Sequence, residues 1–133
     1  MIWLLDTNVL IHAARNRPRS VAARLKAASP DDLAVSSVSI AELWYGAGKS
    51  PQPERKRAAW ARFLEPFEVL SFDRAAGVEH ARLRYALRHR PIGERDLLIA
   101  AIALVNGLAV VTSNVAEFNR VPGLRVEDWS RQG

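Results

Sequence analysis

Short apolar runs and amphipathic segments alternate along this chain of 133 residues. Apolar runs bounded by polar residues are typical of buried strands, whereas apolar positions that recur every three or four residues predict helices. On this basis we expect strands at residues 2–6, 34–37, 67–72, 108–112 and 124–127. We expect helices at residues 8–15, 20–28, 39–45, 54–64, 74–89 and 96–105, and a helical turn at 115–118.

Proline and glycine set several of these boundaries. Pro18 separates the first two helices, and Gly46 and Gly48 are expected to end the third. Strands that alternate with helices of this length predict right-handed crossovers between parallel strands. The expected fold is therefore α/β, with a mostly parallel central sheet flanked by helices in three layers. The length and the hydrophobic content of 49% fit a single domain over residues 1–133.

The composition excludes several classes of protein. The chain has no cysteine, so disulfides and thiolate ligands are absent, and three scattered histidines do not form a zinc site. The apolar run after Met1 is too short for a signal peptide, because Asp6 interrupts it. The uncharged stretch 97–116 is long enough for a membrane span, but Asn106 and Gly107 form a helix-stop signal within it. We therefore expect a cytoplasmic protein without a membrane span.

The charge balance is basic, with 19 Lys and Arg against 14 Asp and Glu and a net charge of +5. A basic surface favours polyanionic partners such as nucleic acid, although charged residues are more often only a solvated face. Most of the cations are arginine, whose planar group matches phosphate geometry better than lysine does. A GC-rich genome would produce the same arginine bias, so composition alone does not identify the partner.

Three acidic residues occupy related positions in the expected sheet. Asp6 stands where the first strand ends, Glu42 lies in the first turn after the second strand, and Asp96 begins the helix before the fourth. Ligands of open parallel sheets bind at the carboxyl ends of the strands, so these acids are expected to converge on one cleft. Clustered carboxylates repel each other, and hard divalent cations such as Mg²⁺ or Mn²⁺ are the usual remedy.

Each acid also has a purely structural explanation. Asp6 or Thr7 fits a helix N-cap, and the segment SIAE, residues 39–42, fits a capping box in which Glu42 reaches back to a backbone amide. Asp96 in a first turn suits the helix macrodipole. The structural explanation weakens for the three together, because every one of them adjoins an apolar run.

Five segments of the chain resemble a known family. In order they are LLDTNVLI, SSVSIAELWYG, RPIGERDLLIAAIAL, VVTSNVAEF and VPGLRVEDW, and they extend from Ile2 to Trp129. Together they are similar to the PIN-domain ribonucleases of the VapC toxin type. The resemblance implies that Asp6, Glu42 and Asp96 form a metal-holding acidic triad. It also implies homodimers and pairing with a small antitoxin protein.

The resemblance assigns roles to the remaining polar residues. Thr7 and Asn8 match residues that orient the first acid. Many relatives have a fourth acid after the fourth strand, where this chain has Asn114 and Glu117. Direct metal ligation is assigned to Asp6 and Asp96, while Glu42 would ligate through water or orient the nucleophile and Glu117 would weakly support a second ion. The resemblance also points to RNA cleavage, with initiator transfer RNA as one substrate, although substrates vary among relatives.

The residue types indicate how cleavage would proceed. No histidine accompanies the acids, so a protein base or nucleophile is not expected, and a bound metal would activate water instead. Two alternatives stay open. A haloacid-dehalogenase-like phosphatase also starts with an aspartate at a strand end, but it needs a second acid where this chain has Asn8. A catalytically inactive PIN fold that binds RNA or a partner protein is the other.

Aromatic residues are concentrated in one part of the chain. Six of the ten lie within residues 44–72, namely Trp44, Tyr45, Trp60, Phe63, Phe67 and Phe72. Two short helices are not expected to bury so many rings, and exposed aromatic grooves commonly receive a partner's amphipathic helix. We therefore predict an antitoxin groove that includes Trp60. The alternative is that the rings fill the core, which we favour for Phe72.

Overall fold

A five-stranded sheet runs through the centre of the fold. In the computed structural model, which describes residues 1–131, the strands are β1 (Trp3–Leu5), β2 (Leu33–Ser36), β3 (Glu68–Leu70), β4 (Ala109–Val111) and β5 (Val126–Glu127). Their order is β3-β2-β1-β4-β5, and every neighbouring pair is parallel. The predicted α/β class is confirmed. Residues 132–133, which the predicted domain includes, lie outside the described part of the chain.

Helices connect the strands. They are α1 (Thr7–Arg15), α2 (Arg19–Ala27), α3 (Ser37–Gly48), α4 (Pro53–Leu64), α5 (Arg74–Ala86), α6 (Glu94–Val105) and α7 (Val115–Phe118). A short 3₁₀ helix, Pro30–Asp32, precedes β2 and was not predicted. None of the helices within residues 1–131 combines the length and apolar character that crossing a membrane requires. The segment 97–116 instead forms most of α6 and the strand that follows it.

Two hydrophobic layers cover the two faces of the sheet. Leu4 and Val110 face a layer built with α5 and α6, while Leu5 and Val111 face a layer built with α1 to α4. Successive residues of a strand point to opposite faces, so neighbouring positions in β1 and β4 join different cores. All four side chains are fully buried. This arrangement confirms the predicted three layers and explains why these strands are apolar at every position.

Helix α3 differs from its prediction at both ends. It begins at Ser37, because the hydroxyl of Ser36 accepts a hydrogen bond from the Ser39 N–H and caps the helix. It also continues through Gly46 and Gly48, which were expected to end it. Ala47 between them is buried in the core, and this packing outweighs the low helix propensity of glycine. Glu42 is consequently in the second turn and not the first, so the capping-box interpretation is wrong.

Other boundaries differ by a few residues. Helix α5 ends at Ala86 and not at residue 89, since Leu87 turns into the core and the next residues form turns. Strand β2 has the predicted length but begins one residue earlier, and the other four strands are two or three residues shorter than predicted. The turn at Val115–Phe118 forms as predicted.

The aromatic rings between residues 44 and 72 have different environments. Trp60 is only 7% exposed, but it contributes to the lining of a groove between α1, α3 and α4, as predicted. Trp44, Phe63 and Phe67 are partly buried against the same core. Tyr45 is 69% exposed. Phe72, which we assigned to the core, is 38% exposed because it lies beyond the end of the edge strand β3.

Candidate active site

The carboxyl edge of the sheet forms an open polar cleft with a volume of about 460 Å³. Asp6 follows the central strand β1, and α6 begins at the same edge because it leads the chain back to the start of β4. The residues that line the cleft are Asp6, Thr7, Asn8, Glu42, Gly93, Glu94, Arg95 and Asp96. The three acids predicted to converge therefore do so, although 90 residues of sequence separate the first from the last.

Asp6 is the most deeply buried of these acids, with 4% of its surface exposed. One carboxylate oxygen accepts a hydrogen bond from the Thr7 N–H at 2.8 Å, which caps α1, and the other accepts from the Thr112 hydroxyl at 2.8 Å. Burial raises the pKa of Asp6, and the two hydrogen bonds oppose this rise. Asp6 therefore does cap α1. Within residues 1–131, no cation forms a salt bridge with its carboxylate.

A chain of hydroxyl groups leads from β2 to Glu42. The Ser36 hydroxyl donates to Ser39 at 3.3 Å, and the hydroxyls of Ser39 and Thr7 are 2.8 Å apart. The Thr7 hydroxyl donates to Glu42 Oε1 at 2.9 Å. Because Thr7 has one hydroxyl proton and gives it to Glu42, Ser39 must donate to Thr7. The three hydroxyls therefore point their protons in one direction, toward the glutamate.

The second carboxylate oxygen of Glu42 is bound by Arg95. Arg95 Nη1 lies 2.6 Å from Glu42 Oε2, and the arginine side chain is 70% exposed. A guanidinium has five N–H donors, so this contact leaves several of them directed at solvent in the cleft. Arg95 is therefore the cation of the cleft that a phosphate group could reach.

Asp96 and Glu117 are joined by Asn114. The Asn114 amide donates to Asp96 Oδ2 at 2.9 Å and also to Glu117 Oε2. Glu117 Oε1 accepts from the Gly93 N–H at 2.6 Å. Burial, followed by the charge of Asp6, raises the pKa of Asp96 to about 6. The amide of Asn114 and then the Gly93 N–H lower the pKa of Glu117.

The side chains assigned to orienting roles occupy different positions. Thr7 contacts Asp6 through its backbone N–H and Glu42 through its hydroxyl. Asn8 is exposed and lines the cleft, and its role in orienting Asp6 stays a prediction. Asn114 lies between Asp96 and Glu117 as described.

The donor set suits a hard divalent cation. Within residues 1–131, no three Asp, Glu or His side chains come together as a group that could hold a metal ion. Glu42 is bound to Arg95, and Glu117 is bound to Gly93 and Asn114. Asp6 and Asp96 remain, and Mg²⁺ is commonly held by one or two carboxylates while it keeps several waters. These two acids therefore fit the predicted ion.

Several residues of the site were not predicted. Thr112 directly follows β4 and lies beside Asp6. Its contact with Asp6 exists because β4 is the neighbour of β1, and the sequence does not show this pairing. Ser39 was expected to begin a helix and Ser36 to lie in a strand, but the chain of their hydroxyls was not predicted. Arg95 precedes Asp96 in an exposed turn, and no periodicity distinguishes it from other surface arginines.

Comparison with known proteins places the chain in a family. The PIN domain model matches residues 3–124. The tRNA(fMet)-specific endonuclease VapC of Shigella flexneri is 42% identical over 130 residues, covering 96% of this chain and 98% of that protein.

Solved structures give the same result. The crystal structure of DNA-bound VapBC from Salmonella typhimurium contains a chain with a TM-score of 0.90 and 38% identity, covering 97% of this chain and 98% of that one. A toxin–antitoxin complex from Klebsiella pneumoniae contains a chain with a TM-score of 0.71 and 28% identity, covering 91% and 93%. The buried acids, the all-parallel sheet and these matches lead to one conclusion: this chain belongs to the PIN domain family and, within it, to the VapC type of ribonuclease.

Proposed function

We propose that this protein is a Mg²⁺-dependent endoribonuclease that acts as the toxin of a toxin–antitoxin pair. The observation that carries the proposal is the pairing of Asp6 and Asp96. Both carboxylates are raised in pKa by burial, and they lie beside each other in a cleft that opens to solvent. Buried like charges at the rim of a sheet are costly unless a cation binds between them.

Five acidic and basic residues at the cleft would take part in this reaction. Asp6 and Asp96 would hold Mg²⁺ or Mn²⁺, which lowers the pKa of water and offsets charge on a phosphate. Arg95 faces the solvent side of the cleft and would contact a nonbridging oxygen of the phosphodiester. Glu42, held by Thr7, would orient the attacking water. Glu117 keeps Asn114 directed at Asp96, and its support of a second ion is part of the proposal.

Cleavage of total RNA tests the activity. Purified protein is incubated with RNA in Mg²⁺ or in EDTA, and new 5′ ends are mapped by sequencing. We expect a small set of Mg²⁺-dependent ends. Initiator transfer RNA is the first individual substrate to assay, because the relative from Shigella flexneri is named for it. Equal cleavage in EDTA would contradict the metal-dependent mechanism.

The alternative is an inactive PIN fold that binds RNA or a partner without cutting. Titration calorimetry with Mg²⁺ separates the two functions, because the inactive module predicts no heat at Asp6 and Asp96. The presence of both acids in one cleft favours the nuclease.

A groove beside the cleft supports the antitoxin part of the proposal. It has a volume of about 230 Å³ between α1, α3 and α4, and Glu42 lines it together with Ile11, Ala14, Leu43 and Lys56. Because Glu42 lines both the groove and the cleft, a peptide in the groove would reach the acids. The complex from Klebsiella pneumoniae provides the precedent of a similar chain bound to its antitoxin.

Expression in cells tests the pairing. We expect growth arrest when the chain is expressed alone and rescue by a small protein encoded beside it. Ala14 is exposed at the groove, so Ala14→Arg should weaken the rescue without reducing cleavage. Ala58→Arg, also on an exposed helix position but outside the groove, is the matched control. Homodimer formation, which the family resemblance implies, is measured on the same protein by light scattering.

A further inference from the structure

A second cavity lies next to the acidic cleft and has no part in the mechanism above. Its volume is about 290 Å³, and it lies between α5 and the start of α6. Three nearly buried apolar side chains, Leu87, Ile92 and Leu97, contribute to its lining. The remaining lining residues are the polar side chains of His80, Arg84 and Glu94, together with Pro91.

This cavity and the cleft have one lining residue in common. Glu94 lines both of them and is the first residue of α6, two positions before Asp96. The first turn of α6 therefore borders both spaces, and the second cavity lies beside the site at which a phosphate would meet Asp6 and Asp96.

Two side chains of the lining are suited to a flat ring. The imidazole of His80 packs edge-to-face against Phe72, with ring centroids 5.6 Å apart, which fixes its orientation. The Phe72 N–H is bound to the Ser37 hydroxyl at 3.2 Å, so this support is tied to α3. Arg84 is exposed and forms no salt bridge with any acid within residues 1–131. Its guanidinium is free to stack on a ring or to contact a phosphate.

We propose that this cavity binds one unpaired nucleobase of RNA, that of the nucleotide next to the phosphate in the acidic cleft. The inference rests on the proposed function. Unstacked bases are commonly held against aromatic rings and guanidinium planes, and the apolar side chains of the lining suit the face of a base. The Glu94 carboxylate accepts hydrogen bonds, so it favours bases that carry an exocyclic amino group over uracil.

Abasic substitution tests the proposal directly. A short single-stranded RNA is labelled with a fluorophore, and one abasic nucleotide is moved along it position by position. Affinity is measured by anisotropy with the Asp96→Asn protein, so that the RNA is not consumed. We expect one position at which loss of the base weakens binding about tenfold. If affinity is the same at every position, the cavity does not hold a base.

Variants of the lining test whether the responsive base lies in this cavity. The double variant His80→Ala, Arg84→Ala, made in the Asp96→Asn protein, should reduce the abasic penalty at that position to less than about twofold. Arg82→Ala removes the same charge from the same helix but lies outside the cavity, and should preserve the tenfold penalty. An unchanged penalty in the double variant would assign the base to another site.

The outcomes for this inference and for the proposed function are separate. Cleavage by the unaltered protein in Mg²⁺ tests the nuclease, whereas the abasic series needs no cleavage. Replacement of the responsive base by uracil should weaken binding, and Glu94→Gln should reduce that preference. If uracil binds as well as an amino-bearing base in the unaltered cavity, the role assigned to Glu94 is wrong.

Discussion

Four of the carboxylates around the cleft, Asp6, Asp96, Glu42 and Glu117, are chemically similar but divide into two pairs. Asp6 and Asp96 lie against apolar strands and helices, and burial raises the pKa of each. Glu42 and Glu117 sit farther out, where each is bound by groups of this chain, Arg95 and Thr7 for the first and Gly93 and Asn114 for the second. The inner carboxylates have only neutral donors and are penalised by burial, whereas Glu42 is paired with a cation and Glu117 has a lowered pKa.

The same edge of the sheet thus carries acids suited to bind a cation and acids suited to hold other side chains. Buried carboxylates that lack a cation are suited to bind one. Carboxylates nearer to solvent are suited to hold neighbouring side chains in place. The environment of each acid accounts for the division.

Removal of metal should have the largest effect. Cleavage by the unaltered protein should stop in excess EDTA and return with Mg²⁺ or Mn²⁺. Ca²⁺ should restore it poorly, because it is larger and prefers more ligands. The measurement is the initial rate on one mapped RNA, and a Zn²⁺ requirement would contradict the hard-oxygen site.

Neutralising the inner pair should come next. Asp6→Asn and Asp96→Asn should each reduce cleavage on the order of 10³-fold, since a catalytic metal contributes several kcal/mol of transition-state stabilisation. Far-ultraviolet circular dichroism should be unchanged, because asparagine still caps a helix or occupies a first turn. Full activity of the Asp96→Asn protein would contradict the assignment of Asp96 as a metal ligand.

Neutralising Glu42 should cost less. Glu42→Gln keeps an oxygen for the Thr7 hydroxyl but loses the charge that holds Arg95. We expect a 10- to 100-fold loss of kcat, the range typical of residues that orient a metal site. Arg95→Lys, which keeps the charge but not the planar group, is the matched comparison. A loss equal to that of Asp96→Asn would place Glu42 with the inner pair.

The pH dependence of stability should separate the pairs without any RNA. The pKa of Asp96 rises from 3.8 to about 6 on folding, so its protonated form stabilises the fold below pH 4. That contribution is lost as pH rises through 6. In EDTA at pH 7.5, Asp96→Asn should therefore be more stable by about 1 kcal/mol, after discounting for solvent screening of a half-exposed group. Chemical unfolding at pH 7.5 and pH 4 measures this, and the gain should shrink at pH 4.

Glu117 should give the smallest effect. Glu117→Gln should change cleavage by no more than about fivefold, as expected for a charge near the surface. Its pKa is lowered by Asn114 and Gly93, so it gains little from a cation. The apparent Mg²⁺ affinity is the readout, and a large loss would indicate that Glu117 holds an ion.

The sequence predicted the inner pair better than it predicted its surroundings. Asp6 and Asp96 follow from a general rule about the carboxyl ends of parallel strands, which needs only the order of elements. The contacts of Glu42 with Arg95 and Thr7 depend on side-chain directions across elements that are 35 to 53 residues apart. No local pattern encodes such contacts.

The errors in the fold have the same origin. Gly46 is a weak helix former, and the burial of its neighbour Ala47 outweighed this local preference. Phe72 was expected in the core but is 38% exposed. Burial depends on where each strand lies in the sheet, and β3 is an edge strand only because of long-range pairing.

The central place of β1 has a consequence for synthesis of the protein. Strand β1 leaves the ribosome early, but its neighbour β4 ends only at Val111. The Asp6 N–H needs the Val111 carbonyl, and its carboxylate needs Thr112, so neither contact exists in a shorter nascent chain. The surroundings of Asp6 can therefore assemble only after β4 has been synthesised. A nascent chain that stops before Val111 contains Asp6 and Asp96 but lacks the strand that holds Asp6 in place.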